Sequence, residues 1–320
     1  LKTIGIVTSG GDAPGMNAAI RAVVRVANYN GLQVLGFQRG WEGIIMNNFI
    51  PLTPRSVSGI IELGGTILHT SRCMECQTSD GIKKSSKNLA ANNVDGLVVI
   101  GGDGSLKGAL ALSKVSEARI VGIPATIDND VFGTDETIGF DTAVNTAREE
   151  IDKIRDTAVS HERIFIVEVM GRQRGFLASM VGLTVGAEII LVPEIKYDEE
   201  ALFGIIMENA ARGKRSAIIV AAEGIGDTRK LSADIQKNTG LEARLSIIGY
   251  AQRGGSPTAR SRFLASVFGN KAVQLLLDGR GNRVVGIQNS KVTDISLEES
   301  CGSTKSLDLS ILELAKVLAT

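Results

Sequence analysis

The chain has 320 residues, enough for about two domains, and its 43% hydrophobic and 22% charged residues can fill a substantial core. Lys plus Arg equals Asp plus Glu at 35 each, which excludes the basic excess of a nucleic-acid binder and leaves any anionic ligand to local charge placement. No window reaches the ~18 apolar residues of a membrane span.

The first stretch, "LKTIGIVTSGG", lacks the apolar core and cleavage site of a signal peptide and reads as the first strand of a soluble, cytoplasmic protein. Short Val- and Ile-rich runs predict further strands, so that the set is 3–9, 32–37, 96–100, 119–123, 163–169, 188–192, 216–222 and 283–288. Amphipathic segments between them predict helices near 16–30, 56–63, 84–92, 106–114, 140–157, 198–211, 229–238, 259–278 and 307–319. Nearly continuous apolar strands alternating with helices give an α/β fold with mainly parallel sheets. Ligands of such sheets bind beyond the carboxyl ends of the strands, so the segments after strands carry the chemistry.

Three glycine-rich loops follow strands. "TSGGDAPGMN" (8–17) combines Gly10 and Gly11 with a helix N-terminus, which suits an anion and equally suits a tight strand–helix turn. No Lys-Ser/Thr follows its glycines, so it is not a Walker A loop, and "GGDAPG" fails the dinucleotide spacing of an oxidoreductase. "VVIGGDGSLKG" (98–108) sets Asp103 among Gly101, Gly102 and Gly104, an arrangement suited to phosphate and a hard metal ion. "IPATIDNDVFGTD" (123–135) brings Asp128 and Asp130, which read either as a solvated turn or as a carboxylate that takes a proton from an attacking hydroxyl. Arg163, Arg172, Arg244 and Arg253 lie near strand ends, and several guanidinium forks so placed favour a phosphosugar pocket over surface charge.

The chain has three cysteines, Cys73, Cys76 and Cys301. The odd count argues against a disulfide framework, and the single C-x-x-C lacks the second pair of a zinc site, so reduced structural thiols are expected.

"TSGGDAPGMNAAIR", "IGGDGS", "TIDND", "EVMGRQRG" and "QRGGSP", in this order, resemble the bacterial ATP-dependent 6-phosphofructokinases (type A) over essentially the whole chain. The resemblance implies two three-layer α/β/α Rossmann-like domains with the active site in the cleft between them. The larger, ATP-binding domain would be 1–139 plus 252–302, and the smaller, fructose 6-phosphate-binding domain 140–251 plus 303–320. The reaction would move the γ-phosphoryl group of ATP to O1 of fructose 6-phosphate. ATP would lie on Gly11, Arg72, Cys73, Gly102, Asp103, Gly104, Ser105 and Gly108, with Asp103 serving Mg2+. Asp128 would be the base, with Thr126, Arg172 and Gly11 as the other catalytic positions. Thr126, Ile127, Asp128, Asp130, Met170, Gly171, Arg172, Glu223, Tyr250 and Arg253 would hold the sugar, and Arg163 and Arg244 would reach its 6-phosphate from a neighbouring subunit of a homotetramer.

Arg21 and Arg25, four apart on one helix, share a face. The resemblance joins them to Arg55, Arg155, Gly186, Glu188, Arg212, Lys214, Arg215 and Ser216 in a site for ADP or phosphoenolpyruvate as opposed effectors. Tyr250 replaces a histidine common in the family, Ser216 replaces an effector-site histidine, and Arg212 and Arg215 replace lysines; Gln77 and Lys107 also depart from some members. Pyrophosphate-using relatives carry Asp at position 104 and Lys at position 125; Gly104 and Ala125 fit the ATP-using branch. The alternatives are a pyrophosphate-dependent enzyme, a kinase of another phosphosugar, and a non-catalytic nucleotide sensor.

Overall fold

The computed structural model describes residues 1–71 and 73–319. In chain order the elements begin with β1 (Thr3–Ser9), α1 (Met16–Tyr29), β2 (Gln33–Phe37), α2 (Trp41–Ile45), β3 (Phe49–Pro51), α3 (Ser79–Ala91), β4 (Gly96–Gly101), α4 (Asp103–Ser113), β5 (Arg119–Thr126) and β6 (Ile138–Gly139). They continue with α5 (Phe140–His161), β7 (Ile164–Val169), α6 (Phe176–Thr184), β8 (Ile189–Leu191), α7 (Glu199–Ala211), β9 (Ala217–Ala222), α8 (Thr228–Thr239) and β10 (Ala243–Ile247). The last are α9 (Ala259–Leu277), β11 (Arg283–Gln288), β12 (Lys291–Ser296), α10 (Leu297–Gly302) and α11 (Ser310–Leu318).

The chain divides into two compact units, Leu1–Thr142 with Arg253–Lys305, and Ala143–Gln252 with Ser306–Thr320. In the first, one sheet runs β12-β11-β5-β4-β1-β2-β3, with β6 beside β5. The inner strands are parallel, and the edge strands β3 and β12 are antiparallel. β1 and β4 are buried along their whole length, which explains their uninterrupted apolar sequences. Leu97 and Val99 face a core closed by Ile44 of α2, Leu89 of α3, Leu106 and Leu112 of α4, and Leu297 of α10. α1 and α9 pack together, with fully buried Ile20, Val23, Leu264 and Phe268. Their close approach depends on Gly269, where a Cβ would stand 2.6 Å from Ala22 Cβ and 3.2 Å from the Val23 nitrogen. Asp294 pins β12, accepting from Arg283 of β11 at 2.7 Å and pairing with Lys271 of α9 at 3.2 Å.

The second unit has the parallel sheet β10-β7-β9-β8. Ile164, Ile166 and Ile219 pack under Leu202 and Ile206 of α7 and Leu231 and Ile235 of α8, while α6 and α11 pack together and against β8. Among the described residues no helix is long and apolar enough to cross a membrane.

Two expectations are corrected. The segment 56–63 is a series of turns. Gly59 takes φ 73°, and the buried Asn17 side chain holds the following stretch: its Nδ2 donates to the Leu63 and Gly64 carbonyls, and its Oδ1 accepts from Ile67 N–H at 2.7 Å. The left-handed backbone at Gly59 breaks the helical course within the segment, and the Asn17 contacts hold the turns that follow it. Cys73 and Cys76, expected as reduced thiols, are joined in a disulfide across a short turn. The odd cysteine is Cys301, half-buried on α10 against the α4 side of the core.

Gly269→Leu should destabilise the protein by about 1–3 kcal/mol, because backbone in α1 has nowhere to move; a lower urea midpoint at unchanged m-value reads this directly. Burial pushes the Cys301 thiol up to about 11, so after mild reduction at about pH 8 Cys73 and Cys76 should react rapidly with a thiol reagent and Cys301 only on unfolding.

Candidate functional site

The parallel register aligns the ends of three strands. Ser9 of β1 lies opposite Gly101 of β4, and Gly101 opposite Pro124 of β5. The loops after β1, β4 and β5 therefore leave the sheet side by side, at its carboxyl edge.

The first two loops are built around missing side chains. Gly10 has φ 87°, and a Cβ there would stand 3.0 Å from Ser105 Oγ. A Cβ on Gly101 would come within 2.5 Å of the Ser9 carbonyl and 2.6 Å of Ser105 Oγ. Helices α3, α7, α8, α9 and α10 start with a side-chain oxygen from Thr78, Asp198, Asp227, Thr258 or Ser296 on a first-turn N–H. α1 and α4 instead start at Gly15 and Gly102, without a side-chain cap. The start of α1 is buried, a Cβ on Gly15 falling 2.6 Å from Ile138 Cγ2, whereas the uncapped N–H groups and dipole of α4 favour an anion. A Cβ on Gly104 would meet nothing within 4 Å, so the α4 N-terminus faces open space. The Gly108 site packs on the Trp41 ring, about where a Cβ would be 3.1 Å from it.

Asp103, in the first turn of α4, holds Lys107 at 2.7 Å. Ser105 Oγ is buried without a hydrogen-bond partner. Among the described residues no group of three His, Cys, Asp or Glu comes together as a metal site. A single carboxylate beside phosphates suits Mg2+, which keeps several waters and takes few protein ligands. Arg253 lies over Gly11, its guanidinium carbon 3.3 Å from where a Cβ would be. The chain leading to Cys73 is tied to β1: Thr8 Oγ1 donates to the His69 carbonyl at 3.0 Å, and Thr70 Oγ1 to the Gly10 carbonyl at 2.9 Å. Arg72, expected at the nucleotide, lies outside the described residues.

The third loop is braced by its central residue. Asn129 takes φ 53°, a left-handed conformation that asparagine tolerates. Its Oδ1 accepts from Thr137 N–H at 3.1 Å, and its Nδ2 donates to the Asp135 carbonyl at 3.2 Å. Thr137 Oγ1 donates to the Thr126 carbonyl at 2.7 Å, and Asp128 N–H donates to Thr126 Oγ1. Asp128, Ile127 and Asn129 are buried, Thr126 and Asp130 half-buried. A Cβ on Gly102 would touch Thr126 Cβ at 3.2 Å, so this loop abuts the start of α4. Ala125 is fully buried on β5.

In the second unit, the loops after β7 and β9 interlock. Arg172 N–H donates to Glu223 Oε1 at 2.7 Å, and Met170 N–H to Gln252 Oε1 at 2.9 Å. Gly171 has φ 131° and Arg172 φ 51°, so the "GRQRG" turn is held in a conformation that arginine rarely adopts. Gly224 leaves no room for a Cβ, which would stand 2.2 Å from the Arg172 carbonyl. The Arg172 and Tyr250 side chains are exposed.

Arg163 and Arg244 lie at the other edge of that sheet. They flank Glu242, which Arg163 binds at 2.7 Å and Arg244 also pairs with. The Arg163 hydrogen bond, with both positive charges, holds the Glu242 carboxyl below the usual range. β7 spans Ile164–Val169 between Arg163 and Met170; at ~3.3 Å per residue that separation is about 20 Å.

Of the expected effector residues, four come together. Arg155 donates to the Val185 carbonyl at 2.6 Å and the Gly186 carbonyl at 3.2 Å, and Lys214 pairs with Glu188 at 3.2 Å. Glu188 also accepts from Ile218 N–H. Arg212 pairs with Glu208, and Arg215 with Glu162. Ser216 precedes β9. Arg21, Arg25 and Arg55 belong to the first unit, Arg21 half-buried and the other two exposed.

Sequence reasoning missed Lys305, in the irregular stretch after α10. Its Nζ donates to the Asp135 carbonyl at 3.0 Å. Burial pulls its ammonium down to about 8, against the opposing pull of Asp135, Asp130 and Glu136. The polar "GSTKS" segment has no periodicity that would have flagged it.

A sequence model described as Phosphofructokinase matches residues 3–276. An ATP-dependent 6-phosphofructokinase of Clostridium novyi is 50% identical over the whole of both chains, and ATP-dependent 6-phosphofructokinase 1 of Clostridium perfringens is 49% identical over 99% of each. Among solved structures, phosphofructokinase from Saccharomyces cerevisiae superposes with a TM-score of 0.89 at 34% identity, covering all of this chain and 48% of the yeast one. A pyrophosphate-dependent phosphofructokinase from Marinobacter aquaeolei shares the fold, with a TM-score of 0.86 at 21% identity, over 97% of this chain and 86% of its own. The chain belongs to the phosphofructokinase family.

Proposed function

We propose that the chain phosphorylates fructose 6-phosphate at O1 with ATP, giving fructose 1,6-bisphosphate and ADP, and that Asp128 is the base. The observation that carries this reading is the level exit of three loops from β1, β4 and β5, which sets a buried carboxylate beside the uncapped, open N-terminus of α4. The full-length identity to ATP-dependent 6-phosphofructokinases supports the donor and acceptor.

The amides after Gly10 and Gly102 hold donor phosphates without side chains in the way. Mg2+, when bound, would be held by Asp103 and would offset charge on the phosphate oxygens. Asp128 accepts the proton as O1 of the sugar bonds to the γ-phosphorus and the bond to the β–γ bridging oxygen breaks, leaving ADP. Thr126 orients Asp128 through the hydrogen bond to its N–H. Arg253, against Gly11, and Arg172 neutralise charge on the transferring group. Phosphoryl transfer depends on such positioning more than on covalent chemistry.

Gly104 favours ATP: an aspartate there would enter the open space before α4 and repel the α-phosphate. Glu223, Met170 and Gly171 line the sugar site on the second unit. Arg163 and Arg244 lie at the wrong edge of β7 and β10 to share a sugar phosphate with Met170–Arg172 of the same chain. That separation supports their service to a neighbouring subunit, in a homotetramer. Arg155, Gly186, Glu188 and Lys214 form the protein half of an effector site for ADP or phosphoenolpyruvate, which bias two states by differential affinity. The ion pairs of Arg212 and Arg215 compete with that role. The cytoplasm is the expected location.

Initial rates on fructose 6-phosphate should be high with ATP and negligible with pyrophosphate; turnover with pyrophosphate alone would overturn the donor assignment. Asp128→Asn should lower kcat by about 10²–10⁴-fold while the KM for fructose 6-phosphate stays within about threefold. Near-normal kcat would remove Asp128 as the base. Gly104→Asp should raise the KM for ATP and leave that for the sugar little changed, as steady-state kinetics would read.

A further inference from the structure

The conformation of Asn129 fixes the directions of the two carboxylates beside it, Asp128 and Asp130. Both polar atoms of the Asn129 amide are engaged by the segment 135–137. That segment is in turn braced by β11: Asp135 N–H donates to the Ile287 carbonyl at 2.7 Å, Ile287 N–H donates to Thr134 Oγ1, and Asn289 N–H donates to the Asp135 carboxylate at 2.8 Å. The Asp135 carbonyl accepts from two donors, Asn129 Nδ2 and Lys305 Nζ. A carbonyl has two lone pairs, so this oxygen is fully used.

Lys305 is an unusual choice for the second donor. Removing an ammonium from water is costly, and a neutral side chain would satisfy a carbonyl at lower cost. A cation gives what a neutral donor lacks, namely attraction to Asp130, Asp135 and Glu136, all of which act on Lys305. Asp128 and Asp130 stand two residues apart in one loop and repel when both are ionised. A fixed positive charge behind the loop offsets that repulsion and keeps the loop in one geometry while it faces an anionic sugar phosphate. Lys305 is also the last residue of the first unit before the chain crosses to the second at Ser306.

We infer that Lys305 is a positioning residue for the phosphoryl-transfer step, acting through the Asp135 carbonyl and Asn129 to hold Asp128 in place. This rests on the reading of Asp128 as the base. On this reading Lys305 acts through the loop rather than on ATP or sugar, and its effect belongs in kcat. Small displacements of a base cost much in rate, because the reacting atoms must already be close and aligned.

The test compares Lys305→Met, Lys305→Arg, Asp128→Asn and the double variant Asp128→Asn/Lys305→Met in the full-length enzyme. Lys305→Met should lower kcat by about tenfold to a hundredfold, with the KM for ATP within about twofold. Lys305→Arg keeps the cation and should recover most of that loss. In the Asp128→Asn background, Lys305→Met should cost less than about a further twofold, since a positioning residue has nothing left to position. An unchanged kcat in Lys305→Met overturns the inference, as does full additivity in the double variant. A loss in Lys305→Met that accompanies collapse of the melting transition, with no recovery in Lys305→Arg, also overturns it and marks a merely structural lysine. Normal turnover in Asp128→Asn would instead remove the base reading, and the positioning role with it; an inactive Asp128→Asn beside a normal Lys305→Met removes the Lys305 inference alone.

Discussion

The register of β1, β4 and β5 is the constraint on which the rest of the first unit depends. Parallel strands cannot slip by one residue without turning every buried side chain to the other face. Their apolar faces therefore fix where each strand ends, and the level exits of Ser9, Gly101 and Pro124 follow. Burial of Leu97, Val99 and Ile120 thus sets the height of the glycine loop after β4 and of the Asp128 carboxylate several residues away. Packing energy and catalytic geometry are one constraint here, because the same register serves both.

The two halves of the chemistry are held by different means. At the glycine loops the protein removes side chains, leaving backbone N–H groups and close approach at Gly10, Gly101 and Gly102. At "TIDND" it adds hydrogen bonds: Asn129 joins the loop to residues 135 and 137, and Thr137 Oγ1 returns one to the Thr126 carbonyl. The first solution gives space for a bulky polyanion. The second gives a rigid direction to a small group. In the second unit both devices recur in "GRQRG", where Gly171 permits the turn and Glu223 holds the Arg172 amide.

The legibility of the sequence followed burial. Strands covered on both faces, such as β1, β4 and β5, carry continuous apolar runs and were placed to within a residue or a few. β10 was missed because Arg244 and Ser246 interrupt "ARLSI", as suits an edge strand that is half exposed. β12, "KVTDIS", is polar for the same reason. α6, "FLASMVGLT", has no polar face because it is buried nearly all round, so periodicity could not separate it from a loop or strand. The false helix at 56–63 is broken by the left-handed backbone at Gly59, and the distant Asn17 side chain fixes the turns after it. The glycine loops and "TIDND" stood out because their composition is local. Lys305 did not, since its role arises from a contact with a residue 170 positions earlier in the chain. The cysteine count misled because parity speaks to frameworks of distant bridges, and Cys73–Cys76 spans three residues.

The open space at Gly104 has a consequence for heredity. On the proposed reading, the preference for a nucleotide over a smaller donor turns at this position on the absence of one side chain, while the sheet that presents it rests on many mutually buried ones. A GGU or GGC glycine codon becomes an aspartate codon by a single base change. On that reading the choice of phosphoryl donor is a shallow property carried by a deep scaffold, and a fold shared with a pyrophosphate-dependent phosphofructokinase is what such a scaffold would leave unchanged.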